Sequence, residues 1–223
     1  IGLGVIGQLV CRLASAQGSE VTGIDPDPER SKNGDNFFTS IDEIEIKDVD
    51  TVIITAATSS NEPIELATKI ARNKAKIIVI GDIPLNISRN DFYYKELELV
   101  VSKSYGPGRY DKQYEALGND YPIEYVRWTE NRNFEAFTKL LSQNQIHLLD
   151  LVSEEIAFED APSVYEKFDD EIKPLSVVLR YNIDSEPKIE IENDLQPEPK
   201  TSKVNVGILG AGNFAATTIM PIL

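Results

Sequence analysis

Three glycines at Gly-x-Gly-x-x-Gly spacing open the chain, in Ile1-Gly2-Leu3-Gly4-Val5-Ile6-Gly7. Gly2 permits a tight turn, Gly4 lets backbone approach a diphosphate, and Gly7 lets a helix pack closely on a strand. The apolar segment that follows, Gln8–Ala16, has helix-like periodicity. The amino end of that helix, with Val5 and Ile6, would turn unpaired N–H groups and the positive end of a helix dipole towards anionic oxygens. Further on, the short apolar run Val21–Ile24 ends in Asp25. A carboxylate there accepts hydrogen bonds from ribose 2′- and 3′-hydroxyls and repels a 2′-phosphate. Together these residues predict a dinucleotide site that prefers NAD to NADP. Arg30 is the counterweight, since a nearby cation accommodates that phosphate, whereas Pro26 offers no donor. A glycine-containing turn in an unrelated α/β protein is the alternative.

Such a site needs strands to carry it. Residues 6–17 read as the first helix and Val21–Asp25 as a strand. Pro26, Asp27 and Pro28 open a short helix near Glu29–Asn33. Ser40-Ile41-Asp42-Glu43 has capping-box spacing, with a strand through Ile44 and Ile46 as its alternative. Thr51–Thr55 and Lys76–Ile80 are compact apolar runs of the kind buried on both faces of a parallel sheet. Between them Asn61 caps, and Pro63 begins, a helix reaching about Arg72. The order β-α-β-(α)-β-α-β predicts a doubly wound parallel α/β sheet, Rossmann-like, with its first strand truncated. Ligands lie at the carboxyl ends of such strands. Thr55 and Ala56, and Gly81 and Asp82, are therefore candidate walls of the nicotinamide half, or simply tight connections.

The later elements are a helix at Asp91–Leu97, a strand at Glu98–Ser102, an amphipathic helix at Asn133–Ser142 with Phe134 on its apolar face, and a strand at His147–Val152. A helix opening at Glu159 and carrying Phe168, and a last strand at Leu175–Tyr181, follow. The aromatic and arginine-rich stretches Ser104–Asp111 and Tyr121–Trp128 suit stacking on a small polar ligand, or an aromatic-pinned surface loop. His147 is expected to be structural or solvent-facing. Residues 182–202 read as a linker holding one short strand at Lys188–Glu192. After it, Val204–Leu209 leads into Gly210-x-Gly212-x-x-Ala215, the Gly/Ala form of the same fingerprint, as a second strand–turn–helix unit.

The net charge of −15 repels nucleic-acid phosphates. One cysteine, Cys11, and one histidine cannot assemble a Cys/His metal cluster. The single thiol fits a reducing compartment, and no signal peptide or membrane-length apolar run is visible, so a cytoplasmic protein is expected. Only Ile1 precedes Gly2, and no initiator Met is present; the chain reads as an internal fragment, inactive by itself.

Gly2–Gly7, Asp25, the Ile77–Gly81 strand and Phe158–Pro162 resemble the cofactor domain and C-terminal segment of zinc-type (medium-chain) alcohol dehydrogenase-like oxidoreductases. Val204–Ala215 resembles the opening of a glucose–fructose oxidoreductase/inositol dehydrogenase-like (Gfo/Idh/MocA) domain. Their order is similar to that of a bi-domain oxidoreductase, a match carried most specifically by Lys95–Glu98 through Ser104–Asp111 and by Tyr121–Glu130. The resemblance implies residues 1–125 as a dinucleotide-binding domain, 126–181 as the C-terminal segment of that dehydrogenase, and 203–223 as the start of a second domain. It implies hydride transfer between NAD and a hydroxyl or carbonyl of a small substrate, a sugar or polyol. Gly210, Gly212 and Ala215 would serve a second cofactor. Proton-transfer residues and metal ligands of either family fall outside the chain. A non-catalytic module binding a nucleotide or nucleotide-sugar is the competing reading, and homo-oligomerisation is left open.

Overall fold

The sheet is assembled from apolar runs that are too β-branched to be surface helices and too continuous to face water on one side. The computed structural model describes residues 1–32, 34, 36–43, 45–167, 174–182, 206–210, 212 and 214–222. The chain divides into two units, residues 1–182 and 183–223.

In the first unit, α1 (Val5–Ala16) follows the glycine turn directly. Next come β1 (Gly23–Ile24), α2 (Pro28–Ser31) and β2 (Phe37–Phe38). Then follow β3 (Val49–Ile54), α3 (Glu62–Ile70), β4 (Ala71–Val79), α4 (Arg89–Lys95) and β5 (Glu98–Val101). β1 pairs with β2, and β3, β4 and β5 form a second ladder, all parallel. Residues 1–2 lie between the two ladders. The Gly2 N–H donates to Ile24 O at 2.8 Å, and the Thr55 N–H donates to Ile1 O at 2.8 Å. The order across the sheet is thus β2, β1, residues 1–2, β3, β4, β5, a doubly wound α/β arrangement. Its core is Val52, Ile54, Ile77 and Val79 from the sheet against Ile64, Ala67 and Ile70 of α3.

Several elements differ from the sequence reading. The strand expected at Val21–Asp25 is paired only at Gly23–Ile24, against Phe37–Phe38 of β2. Asn61 does not cap α3 with its side chain. Ser60 Oγ instead accepts from the Glu62 N–H at 3.2 Å, and Asn61 bonds Asn86 and Glu65. Ser40–Glu43 becomes a single 3₁₀ turn at Ile41–Glu43. His147–Val152 is no strand; it contains a 3₁₀ turn at Leu149–Leu151, and His147 is exposed. The strand lies further on, at β6 (Glu154–Ala157), paired in parallel with β7 (Val177–Arg180). Here the denser apolar run lost to the one with a pairing partner. Between them the chain forms a 3₁₀ turn at Phe158–Asp160 and a helix at Ala161–Lys167. Phe134, expected on the apolar face of the helix at Glu130–Ser142, is 63% exposed. Phe168 and the strand expected at Lys188–Glu192 lie outside the described residues, as does nearly all of the linker 182–202.

In the second unit the expected strand–turn–helix does not form as drawn. Residues 206–208 carry no strand, and Ala215–Ile219 is a π-helix. Strand geometry is held by ladder hydrogen bonds to a neighbour, and among the described residues none pairs with 206–208. Val204 and Asn205 lie outside the described residues.

A cavity of about 630 Å³ continues from Ile1 between residues 19–24 and 46–53, under Val10, Cys11 and Ala14 of α1. The Ile1 amino nitrogen is buried and donates to Ile53 O at 2.7 Å.

Lys95 terminates α3 from outside. Its Nζ donates to the carbonyls of Thr68, Lys69 and Ala71 at 2.7, 3.1 and 2.7 Å. A cation on otherwise unpaired C-terminal carbonyls also meets the negative end of the helix dipole. Lys95→Met should cost about 2 kcal/mol in urea denaturation, the range for half-buried charged hydrogen bonds.

Candidate functional site

The carboxyl ends of residues 1–2, β1, β3 and β4 meet at one edge of the sheet. Gly2 has φ +93°, which L side chains rarely adopt, and a Cβ there would lie 2.6 Å from Ala56 N. A Cβ on Gly7 would sit 1.9 Å from Gly2 O and 2.8 Å from Thr55 Oγ1. One on Gly81 would sit 1.9 Å from Ala56 O. Three backbone segments are thus in contact at distances only glycine allows. Thr55, expected as a nicotinamide wall, has an internal task as well: its hydroxyl donates to Gly2 O at 2.6 Å. The Thr58 N–H donates to Asp82 O at 2.9 Å, joining the turns after β3 and β4.

Gly4 is different. Its φ of −63° is ordinary, and the nearest atom to an added Cβ is Arg30 Nη1 at 4.0 Å. Nothing in the packing requires glycine there. The backbone after Gly4 starts α1 without any side-chain cap, so its first N–H groups stay available to an external acceptor. Val5 is half-buried and Ile6 is 55% exposed.

Asp25 is buried and held in place. Its Oδ2 accepts from the Leu3 N–H at 2.7 Å and its Oδ1 from the Asp27 N–H at 2.9 Å. The first contact ties the glycine turn to the end of β1, so the carboxylate stands beside the cradle. Arg30 Nη1 is 3.7 Å from Asp25 Oδ2, and its Nε is 3.3 Å from Asp27 Oδ2. One residue escaped the sequence reading. Gln8 is fully buried, and its Nε2 donates to Arg30 O at 3.0 Å, fixing α2 against α1. Its signal was a polar side chain directly after Gly7, within the apolar first half of the helix. Asp27 caps α2, its Oδ1 accepting from the Glu29 N–H at 2.9 Å.

The structure therefore gathers Gly2, Gly4, Val5, Ile6, Gly7, Asp25, Arg30, Thr55, Ala56, Gly81 and Asp82 along one edge. An open backbone approach at Gly4, free N–H groups and a fixed carboxylate suit a ribosyl diphosphate. Gly210, Gly212 and Ala215 belong to the second unit. A Cβ on Gly210 or Gly212 would meet nothing within 4 Å, and Ala215 is buried.

The aromatic stretch closes on itself. Arg109 lies 5.1 and 4.9 Å from the Tyr105 and Tyr110 ring centres and pairs with Glu115 at 2.6 Å. Tyr114 and Tyr121 stack at 5.6 Å. The Tyr121 hydroxyl donates to Asp111 and holds that carboxyl below the usual carboxylate range. Burial pushes the Cys11 thiol up, away from a reactive thiolate. Among the described residues no group of three or more His, Cys, Asp or Glu could hold a metal ion. None of the described helices is long and apolar enough to cross a membrane.

No protein-family model and no curated protein matches the sequence. Solved structures do match. The short chain alcohol dehydrogenase of Escherichia coli complexed with NADH is 18% identical, with 80% of this chain and 50% of that one covered, at a TM-score of 0.58. Galactitol-1-phosphate dehydrogenase of Escherichia coli is 21% identical over 77% and 49% of the two chains, at 0.54. A zinc-binding dehydrogenase of Sinorhizobium meliloti bound to NADP is 18% identical over 80% and 50%, at 0.54. The first unit thus shares the fold of zinc-type dehydrogenase cofactor domains, and the chain spans about half the length of these structures.

Gly7→Ala tests the crowded side of this edge. Alanine is the better helix former, yet its Cβ must displace the Gly2 carbonyl. Urea denaturation should show a loss of roughly 3 kcal/mol or more, as for overpacking that backbone cannot relieve.

Proposed function

We propose that the chain is the cofactor-binding part of a longer nicotinamide-dependent oxidoreductase. Its reaction moves hydride between the nicotinamide and a hydroxyl or carbonyl of a small substrate, a sugar or polyol. Gly2, Gly4 and Gly7, with the N–H groups at Val5 and Ile6, hold the diphosphate. Asp25 accepts the ribose hydroxyls, making NAD the preferred cofactor over NADP. Arg30 flanks that ribose. Thr55, Ala56, Gly81 and Asp82 line the nicotinamide half. Bound there, the cofactor would supply the hydride acceptor; the protein orients it and excludes water.

Residues 1–125 form the dinucleotide domain of this reading, 126–181 the rest of its dehydrogenase module and 182–202 a linker. From residue 203 a Gfo/Idh/MocA-like domain begins, in which Gly210, Gly212 and Ala215 hold a second dinucleotide. Catalytic acid–base groups are assigned to the remainder of the longer protein. The polyol class is supported by the fold shared with galactitol-1-phosphate dehydrogenase, and a cytoplasmic setting by the single cysteine.

The observation that carries the reading is Gly4: a glycine that packing does not need, beside a carboxylate fixed by Leu3. In the intact protein Gly4→Ala should leave stability within about 0.5 kcal/mol and weaken NAD binding at least about tenfold, as expected when a methyl blocks a charged hydrogen-bond cradle. Urea denaturation checks the stability and calorimetric titration the binding. Unchanged NAD binding would overturn the reading. Tight binding without hydride transfer to any of a panel of sugars, polyols and alcohols would favour the nucleotide-binding module instead.

A further inference from the structure

Three charged side chains surround the position assigned to the ribose, and only one of them is buried. Asp25 is nearly sealed, its side chain 6% exposed, and each of its oxygens takes a backbone N–H. Asp27 is 44% exposed and is held by the Glu29 N–H, and Arg30 is 43% exposed. The Arg30 backbone is held in place. Gln8 holds its carbonyl, and Ser31 Oγ donates to the carbonyls of Asp25 and Phe38 at 3.1 and 3.2 Å. The guanidinium therefore pivots from a fixed Cα beside Gly4, with Asp25 and Asp27 as its two partners. The remaining charges on α2 neutralise each other, since Lys32 pairs with Glu29.

Resting on the dinucleotide reading above, we propose that Asp27 sets the discrimination between NAD and NADP by occupying Arg30. With Asp27 ionised, the two carboxylates outweigh the one guanidinium, and the side of the fork carrying Nε is engaged. A 2′-phosphate arriving beside Asp25 then meets net negative charge and no free bidentate donor. Remove the Asp27 charge and the guanidinium balances Asp25 alone. Its planar fork is then free to meet phosphate oxygens. Asp25 supplies the hydroxyl contacts and Asp27 the exclusion of the phosphate, two separable functions on neighbouring residues.

Asp27→Asn is the informative change, because the amide oxygen can still accept the Glu29 N–H that caps α2. The intact protein is titrated calorimetrically with NAD and with NADP at two salt concentrations. Asp27→Asn should tighten NADP about tenfold, the worth of one freed charged hydrogen bond, and leave NAD within about twofold. The gain should shrink at the higher salt. In the double variant Asp27→Asn/Arg30→Met the gain should vanish, which isolates the coupling between the two residues. An unchanged NADP-to-NAD affinity ratio in Asp27→Asn overturns the proposal, and so does a gain that survives loss of Arg30. If the wild-type protein and the variant bind neither dinucleotide, the dinucleotide reading itself falls, a result separable from both.

Discussion

The sheet hangs on a two-residue joint. Ile1 and Gly2 carry the hydrogen bonds that connect β1 and β2 to β3, β4 and β5. A parallel sheet is cooperative across its width, because each strand satisfies the backbone groups of both neighbours. Here residues 1–2 satisfy them at the carboxyl end of the sheet. That end is also where the candidate site lies. The joint therefore does two things at once: it closes the sheet and it places the glycine turn.

At that edge, glycine has two separable purposes. Gly2, Gly7 and Gly81 are required by the protein itself, since an added Cβ would collide with backbone atoms of Gly2, Thr55 or Ala56. Gly4 is surrounded by space on the outer side. Of the three glycines of the opening fingerprint, Gly2 and Gly7 are thus demanded by packing, as Gly81 is outside it, while packing leaves the position of Gly4 open. Asp25 binds these roles together: it anchors the turn through Leu3 and still presents its remaining lone pairs.

Charge around the edge is arranged by short-range pairing. The whole chain is strongly acidic, yet Arg30 is placed within reach of two carboxylates by a buried amide, Gln8. Burying an amide is costly unless it is bonded, so Gln8 is informative about where α2 must sit. Surface ion pairs of this exposure contribute little to stability.

Much was legible in the sequence. The glycine spacing, the acid closing β1, and the β-branched runs at 51–55 and 76–80 state local requirements, and local sterics and burial decide them wherever the chain is. The α/β class and the convergence of Gly2, Asp25, Thr55 and Gly81 followed from those requirements. Pairing did not. Whether residues 147–152 or 154–157 become a strand depends on which segment finds Val177–Arg180 beside it, and 206–208 lack strand geometry without a described neighbour. Nor could sequence spacing assign Thr55 to the Gly2 carbonyl or bring Gln8 to Arg30. Those are distances between segments remote along the chain, which exist only once the backbone has closed around them.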